Sequence, residues 1–147
     1  PLNALDTCVC MGASIGNAIG MERVQGSAKG TVAVIGDSTF FHSGMAPLVN
    51  MVHTNSRGVV ILMDNGVTAM TGHQDHPAVG RNVNDVTEKI PVRSVLEGLG
   101  VPHIYEVDTY QQKKLTERVR TAVEDGGRRD RSGALRGQGQ EEPPGHH

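Results

Sequence analysis

Two polar side chains, Asp37 and Asn65, directly follow apolar runs of the sequence. The run TVAVIG at 31–36 leads into Asp37, and the run VVILMD at 59–64 leads into Asn65. Continuous runs rich in β-branched residues are typical of strands that are buried on both faces of a parallel sheet. Because ligands bind beyond the carboxyl ends of such strands, we expect the two side chains to meet at one edge of the sheet.

A carboxylate and an amide oxygen are hard ligands. Together with a backbone carbonyl they suit Mg²⁺, which takes about six oxygens, substrate phosphates among them. A diphosphate beside the strand ends would supply further oxygens, and the neighbouring glycines would let backbone N–H groups approach it closely. Two simpler interpretations stay open: Asp37 as the N-cap of a following helix, and Asn65-Gly66 as a plain turn.

The elements that must position these side chains alternate along the chain. We predict helices over residues 12–24, 44–54, 91–100 and 109–125, and strands over 31–36, 59–64 and 103–108. This order predicts an α/β domain in which helices flank a parallel sheet. The segment 65–82 is polar, rich in glycine and too long for a plain connection, which favours a functional loop.

Composition and charge restrict the function further. The chain has 147 residues, of which 37% are hydrophobic and 3% aromatic, so we expect one domain with an aliphatic core. A net charge of −2 provides no basic face for nucleic acid, and no apolar run reaches the roughly 20 residues of a membrane span. The spacing of Cys8 and Cys10 disfavours a disulfide between them, and two cysteines are too few for an iron–sulfur cluster. We therefore expect packing roles for both, in a protein of the reducing cytoplasm.

The last part of the sequence differs from the rest. Residues 126–147 contain one Ala and one Leu as their hydrophobic residues, too few to form a packed core. We therefore predict a folded domain over 1–125 and a tail over 126–147. The tail is either disordered or the product of a shifted reading frame, since a shift of one base permits an apolar strand ending in Pro-Cys. The start at Pro1, in mid-pattern, predicts a fragment of a larger subunit.

The motifs resemble those of a known enzyme family. GDS at 36–38 followed by DNG at 64–66 resembles the thiamine diphosphate motif, Gly-Asp-Gly followed at a set distance by Asn, with Ser38 in place of the last glycine. With DTCVCMGASIG (6–16), GDSTFFHSGM (36–45) and DNGVTAMTGHQDHP (64–77), the match resembles the C-terminal thiamine diphosphate-binding domain of the indolepyruvate:ferredoxin oxidoreductase large (alpha) subunit. The resemblance covers roughly the folded part of the chain.

The resemblance implies roles for particular residues. Asp37 and Asn65 would ligate Mg²⁺ through their side chains and Val67 through its carbonyl oxygen. Cofactor contacts are expected from Cys10, Met11, Gly12, Gly36, Asp37, Ser38, Thr39, Asn65, Val67, Thr68, Ala69, Met70, Thr71 and His73. Met11 is the candidate for an apolar support under the bent cofactor, with a core-filling role as the alternative. His42, His73 and His76 lack metal-ligand spacing, and surface or hydrogen-bonding roles are favoured for them. Among the three, His73 is the candidate for a substrate or cofactor contact.

The resemblance also implies a reaction and partners. The full enzyme would use thiamine diphosphate and Mg²⁺ to decarboxylate aryl pyruvates oxidatively to acyl-CoA, and would reduce ferredoxin through iron–sulfur clusters outside this chain. Its expected partners are a pyrimidine-binding domain, a small (beta) subunit, ferredoxin, CoA and the 2-oxoacid. No catalytic residue is assigned, because the activating glutamate belongs to the pyrimidine-binding domain, and the chain alone should be inactive. The alternatives are a non-oxidative thiamine enzyme, such as a 2-oxoacid decarboxylase or an acetolactate-synthase-like protein, and a non-catalytic binding module.

Overall fold

A computed structural model of the chain describes residues 5–126. Helices and strands follow one another as α1 (Ser14–Gln25), β1 (Val32–Gly36), α2 (Asp37–Thr39), a π-helical turn (Phe40–Gly44), α3 (Met45–His53), β2 (Val59–Met63), α4 (Val92–Gly98) and α5 (Gln112–Gly126). The predicted α/β class is confirmed. The predicted tail lies, beyond Gly126, outside the described residues. Within them, no helix combines the length and the apolar character needed to cross a membrane.

The two strands form a parallel pair. Their register sets Val32 opposite Val59 and Gly36 opposite Met63. A parallel pair needs a crossover, and the helical segment that runs from Asp37 to His53 provides it. The carboxyl ends of both strands therefore lie at the same edge of the sheet, as the sequence predicts, and the residues that follow them start at the same level.

One face of β1 is buried and the other is not. Ala33 and Ile35 are buried in the core, whereas Val32 and Val34 are 38% and 45% exposed. The prediction of a strand buried on both faces is therefore wrong for β1. Helix α1 packs on β1 from the side of Ala33 and Ile35, and no part of the described residues fully covers the other side.

The segment HIYEVD at 103–108, predicted as a third strand, forms no ladder with β1 or β2 in the part of the chain that the structure describes. Its half-buried residues Ile104 and Val107 are three positions apart, so in a strand they would face opposite sides. Side-chain contacts hold the segment instead. Nε of Arg93 donates to Glu106 at 2.7 Å, and the guanidinium of Arg118 lies 5.5 Å from the centre of the Tyr105 ring.

The core lies between the sheet and helices α1 and α3. Its buried members are Ile15, Ala18, Ile19, Ala33, Ile35, Phe40, Phe41, Leu48 and Met51. The expectation of a purely aliphatic core is wrong, because Phe40 and Phe41 are both buried, with their rings edge to face at 5.6 Å. The two rings anchor the π-helical turn in the core, and that turn fixes the residues immediately after β1.

The same turn depends on a close approach at Gly44. An added Cβ there would lie 2.6 Å from Cδ1 of Ile35 and 3.1 Å from Cδ2 of Phe40. Overpacking of this kind costs about 1–3 kcal/mol, so Gly44→Ala should lower the free energy of unfolding. Gly20 in α1 has nothing within 4 Å of its added Cβ, and Gly20→Ala should instead stabilise by up to about 1 kcal/mol.

Urea unfolding of both variants against the wild type measures this difference. Both changes replace a glycine by alanine within helical backbone, so a loss of stability at Gly44 beside a gain at Gly20 indicates the steric cost at Gly44. Equal stabilisation by both changes would show that Gly44 does not pack closely against Ile35.

Candidate functional site

The carboxylate of Asp37 joins the two strand ends. Asp37 is 2% exposed. Its Oδ1 accepts a hydrogen bond from the N–H of Ser38 at 2.7 Å. Its Oδ2 accepts two more, from the N–H of Asn65 at 3.1 Å and the N–H of Gly66 at 2.8 Å. The structure thus brings together the two strand ends that the sequence pairs, and the link runs through backbone N–H groups.

These contacts also set the charge of Asp37. Burial raises the pKa of its carboxyl, but the hydrogen bonds from Ser38 and Gly66, the neighbouring imidazole of His76 and the side chain of Asp64 act the other way, and the pKa is lowered from its ordinary value. Asp37 is therefore ionised at neutral pH and acts only as an acceptor. A plain N-cap role does not describe it, since Gly36 holds the N-cap position of α2.

The end of β2 forms the turn that the simpler interpretation predicts. Oδ1 of Asn65 accepts the N–H of Val67 at 3.1 Å, and Oδ1 of Asp64 accepts the N–H of Gly66 at 3.2 Å. This turn and the contact with Asp37 coexist, because the turn directs the N–H groups of Asn65 and Gly66 towards the carboxylate. The Asn65 side chain is exposed, and its amide oxygen retains a lone pair for a further ligand.

The donor set fits a hard divalent cation. Oδ1 of Asp37 and Oδ1 of Asn65 each accept a single hydrogen bond, and the Val67 carbonyl would add a third oxygen. These are the ligand types that Mg²⁺ takes. Between residues 5 and 126, no group of three or more His, Cys, Asp or Glu side chains is placed to hold a metal. A cation at Asp37 would complete its coordination with oxygens from water or from a bound ligand.

A pocket of about 220 Å³ opens beside Ser38 and Thr39, which follow Asp37, and beside Thr68 in the loop after β2. It is lined by Met11, Ser38, Thr39, His42, Ser43, Thr68, Met70 and Thr71. Six of these eight residues are among the predicted cofactor contacts. His42 and Ser43 are not, and both come from the π-helical turn. A turn of this type inside a helix is frequent at functional sites, but no sequence pattern marks it.

The loop after β2 is folded back on itself beside this pocket. Thr68 and Gln74 pair across the loop, and the N–H of His73 donates to the carbonyl of Thr68 at 3.0 Å. The hydroxyl of Thr68 donates to Oγ of Ser38 at 2.6 Å, which ties the loop to the end of β1. Two hydroxyl groups are thereby held together in the pocket wall.

The third wall comes from the segment before α1. Gly12 has φ +90, and its backbone lies so close to Ser43 that an added Cβ would be 2.1 Å from Oγ of Ser43. Met11 lines the pocket and is 65% exposed, so it does not fill the core. Cys8 and Cys10 are free and exposed. The expectation that the two cysteines pack in the interior is therefore wrong, because the segment runs along the surface.

The histidine at the carboxylate is His76. It is 3% exposed, and its Nε2 lies 3.2 Å from Oδ2 of Asp37. The sequence favoured His73 for a site contact, and that residue is exposed at φ +61. His73 does not line the pocket. No spacing rule identifies His76, since its partner lies on the other strand end, far away along the chain.

Comparisons with known proteins bear on the family of the chain. A family model described as "Thiamine pyrophosphate enzyme, C-terminal TPP binding domain" matches residues 1–129; thiamine pyrophosphate (TPP) is thiamine diphosphate. Indolepyruvate oxidoreductase subunit IorA of Archaeoglobus fulgidus is 36% identical over 124 residues, which cover 84% of this chain and 20% of the relative. The same subunit of Thermococcus kodakarensis is 37% identical over 136 residues, or 84% of this chain and 21% of the relative.

The chain spans about a fifth of the length of these curated relatives. The predicted resemblance to the large subunit of indolepyruvate oxidoreductase is confirmed by these matches. No solved structure matches the chain.

Proposed function

Since the chain belongs to the family of thiamine pyrophosphate enzymes, as a C-terminal TPP-binding domain, we propose that its pocket holds the diphosphate of that cofactor together with Mg²⁺. The observation that carries the proposal is the ionised Asp37 carboxylate, bound by N–H groups from the end of β2 beside a pocket lined by hydroxyls. The diphosphate would supply further oxygens to a cation held at Asp37.

The residues at the pocket would have different roles according to their chemistry. Asp37 and Asn65, with the Val67 carbonyl, would hold the Mg²⁺. The hydroxyls of Ser38 and Thr39 in the pocket wall would donate to diphosphate oxygens. Those of Thr68 and Thr71 donate to Ser38 and Gln74 in this structure and would turn from them to reach the diphosphate. Gly36, the last residue of β1, remains a proposed cofactor contact beside them. When bound, the cofactor supplies the carbanion chemistry, and the protein supplies position and charge.

Apolar residues at the pocket would meet the uncharged part of the cofactor. Met11 and Met70 line the pocket, and they are 65% and 84% exposed. We assign Met11 as the support under the bent cofactor, because it lines the pocket with an exposed, flexible apolar side chain. Cys10, Gly12, Ala69 and His73 remain proposed contacts as neighbours of these residues in the chain.

For the whole enzyme we propose oxidative decarboxylation of aryl pyruvates to acyl-CoA with reduction of ferredoxin, in the cytoplasm. The support is that the relatives are subunits of indolepyruvate oxidoreductase. A pyrimidine-binding domain and a small subunit would complete the enzyme and cover the exposed methionines. The described residues offer no acid for activating the cofactor in this pocket, so we propose that the chain is inactive alone.

Removal of the metal tests the cofactor site directly. Calorimetric titration of the chain with thiamine diphosphate should show binding in the presence of Mg²⁺ and at least about tenfold weaker binding after chelation, because the metal bridges Asp37 to the diphosphate. Free thiamine, which has no diphosphate, is the control ligand and should show no dependence on Mg²⁺. Equal affinity for thiamine diphosphate with and without Mg²⁺ would contradict the proposal.

A further inference from the structure

The imidazole of His76 is a buried polar group that the proposed cofactor contacts do not use. Its Nε2 is inaccessible to solvent and lies 3.2 Å from Oδ2 of Asp37, yet the two atoms do not form a well-aligned hydrogen bond. Leaving a buried N–H unpaired costs about 1–3 kcal/mol. A chain that keeps such a group against a carboxylate is therefore expected to use it in another state of the site.

The ring of His76 is fixed by its surroundings. Nδ1 accepts the N–H of Ala78 at 3.4 Å, so the proton of the neutral ring belongs on Nε2, the atom that faces Asp37. The ring of Phe41 lies beside it, with centroids 6.4 Å apart. Phe41 is part of the core. The imidazole therefore connects the core to the carboxylate and presents a donor in a defined direction.

The three other donors divide the two carboxylate oxygens unequally. Oδ2 accepts the N–H groups of Asn65 and Gly66, while Oδ1 accepts the N–H of Ser38 alone. A further donor at Oδ2 saturates that oxygen and leaves Oδ1 with room for a metal. A carboxylate held in this way cannot turn to offer both oxygens to a cation.

We infer that His76 is a positioning residue for the metal, whose Nε2–H holds Oδ2 of Asp37 so that Oδ1 alone is presented to Mg²⁺. This inference rests on the proposed function of the pocket. Hydrogen bonds of functional groups are often poorly aligned without their ligand and tighten when it binds, which accounts for the unpaired Nε2. Partners that orient a metal ligand typically contribute 10–100-fold to metal affinity.

The inference has a consequence for metal choice. Mg²⁺ demands near-ideal octahedral geometry, whereas Ca²⁺ has flexible geometry and accepts both oxygens of one carboxylate. Loss of the donor at Oδ2 should therefore weaken the binding of Mg²⁺ more than the binding of Ca²⁺. A change that merely loosened the fold would weaken the binding of both ions alike. The ratio of the two affinities therefore distinguishes a positioning role of His76 from a packing role.

The test compares substitutions at His76 in the full chain. His76→Leu keeps bulk and removes the donor, and His76→Gln keeps an amide N–H near the position of Nε2. His53→Leu, at the exposed end of α3, is the control. Thiamine diphosphate is titrated calorimetrically over a series of Mg²⁺ or Ca²⁺ concentrations. We expect the concentration of Mg²⁺ at half-saturation to rise about tenfold in His76→Leu, to stay within about threefold in His76→Gln, and to be unchanged in His53→Leu.

The outcomes separate the two proposals. If the wild type shows no Mg²⁺-dependent binding, the proposed function fails and the role of His76 falls with it. If the wild type binds and His76→Leu keeps its Mg²⁺ dependence, only the role of His76 is overturned. The same holds if His76→Gln is as impaired as His76→Leu. Should His76→Leu not fold, His76→Asn replaces it, because its shorter side chain does not bring the amide to Asp37.

Discussion

Replacing Asp37 by Ala is expected to abolish Mg²⁺-dependent binding of thiamine diphosphate and to destabilise the domain at the same time. The change removes the proposed charged ligand of the metal, which we expect to weaken binding by about 100-fold or more, since interactions with a charged group are the strongest in such a site. It also leaves the N–H groups of Ser38 and Asn65 without their acceptor, and leaves the N–H of Gly66 with Oδ1 of Asp64 alone. Each buried N–H that stays unpaired costs about 1–3 kcal/mol.

Asp37→Asn separates charge from volume. The amide retains one oxygen, but its NH₂ group must face one of the two sets of N–H donors, so we expect both weaker binding and a lower free energy of unfolding. Asp85→Asn is the matched control. Asp85 accepts the N–H of the following residue at 2.7 Å, as Asp37 does, but it is exposed. Calorimetry and urea unfolding of the variants measure both effects. Binding of wild-type strength in Asp37→Asn would rule out this carboxylate as the metal ligand.

The meeting of Asp37 with the end of β2 could be predicted because it depends on topology alone. Two apolar runs joined by a helical crossover pair in parallel, and parallel strands end at one edge. Helix α5 was predictable for a similar reason. Its half-buried residues are Leu115, Val119, Ala122 and Val123, which are the apolar positions that a period of 3.6 places on one face.

The rest of the site depends on contacts that no local pattern encodes. The sequence favoured His73 over His76, because burial of an imidazole against Asp37 depends on how the loop after β2 folds back and not on a local pattern. The π-helical turn brings His42 and Ser43 to the pocket, although the sequence predicts a helix only from residue 44 onwards. The burial of β1 was overestimated. An apolar run indicates only that its side chains favour a buried environment, whereas the exposure of Val32 and Val34 depends on which residues cover that face of the sheet.

Substituting Gly12 by Ala should disrupt the pocket wall that the segment before α1 provides. An added Cβ would lie 2.1 Å from Oγ and 2.9 Å from Cβ of Ser43. Rotation of the Ser43 side chain removes the first clash but not the second, so the backbone of one segment must move. The conformation at φ +90 adds its own cost for a residue with a Cβ. Together, strain and overpacking suggest a loss of about 2–4 kcal/mol.

A matched glycine separates strain from collision. Gly26 ends α1 at φ +66, and nothing lies within 4 Å of its added Cβ. Gly26→Ala should therefore cost only the about 1–2 kcal/mol of a left-handed residue and leave cofactor binding unchanged. Gly12→Ala should lose more stability and, because Met11 moves with it, bind thiamine diphosphate about tenfold more weakly, in line with the sensitivity of such sites to small displacements.

A second substitution shows whether the collision is the cause. Ser43→Gly removes both atoms that the new Cβ would meet, so it should restore binding to Gly12→Ala, although glycine within the π-helical turn itself costs about 1 kcal/mol of stability. Calorimetry reports the binding and urea unfolding the stability, which allows the two effects to be read independently. If Ser43→Gly leaves the binding of Gly12→Ala unrestored, close packing between these two segments does not shape the pocket. If Ser43→Gly restores binding to Gly12→Ala while the free energy of unfolding stays low, the packing of Gly12 against Ser43 supports binding by placing Met11 at the pocket, and not by stabilising the fold.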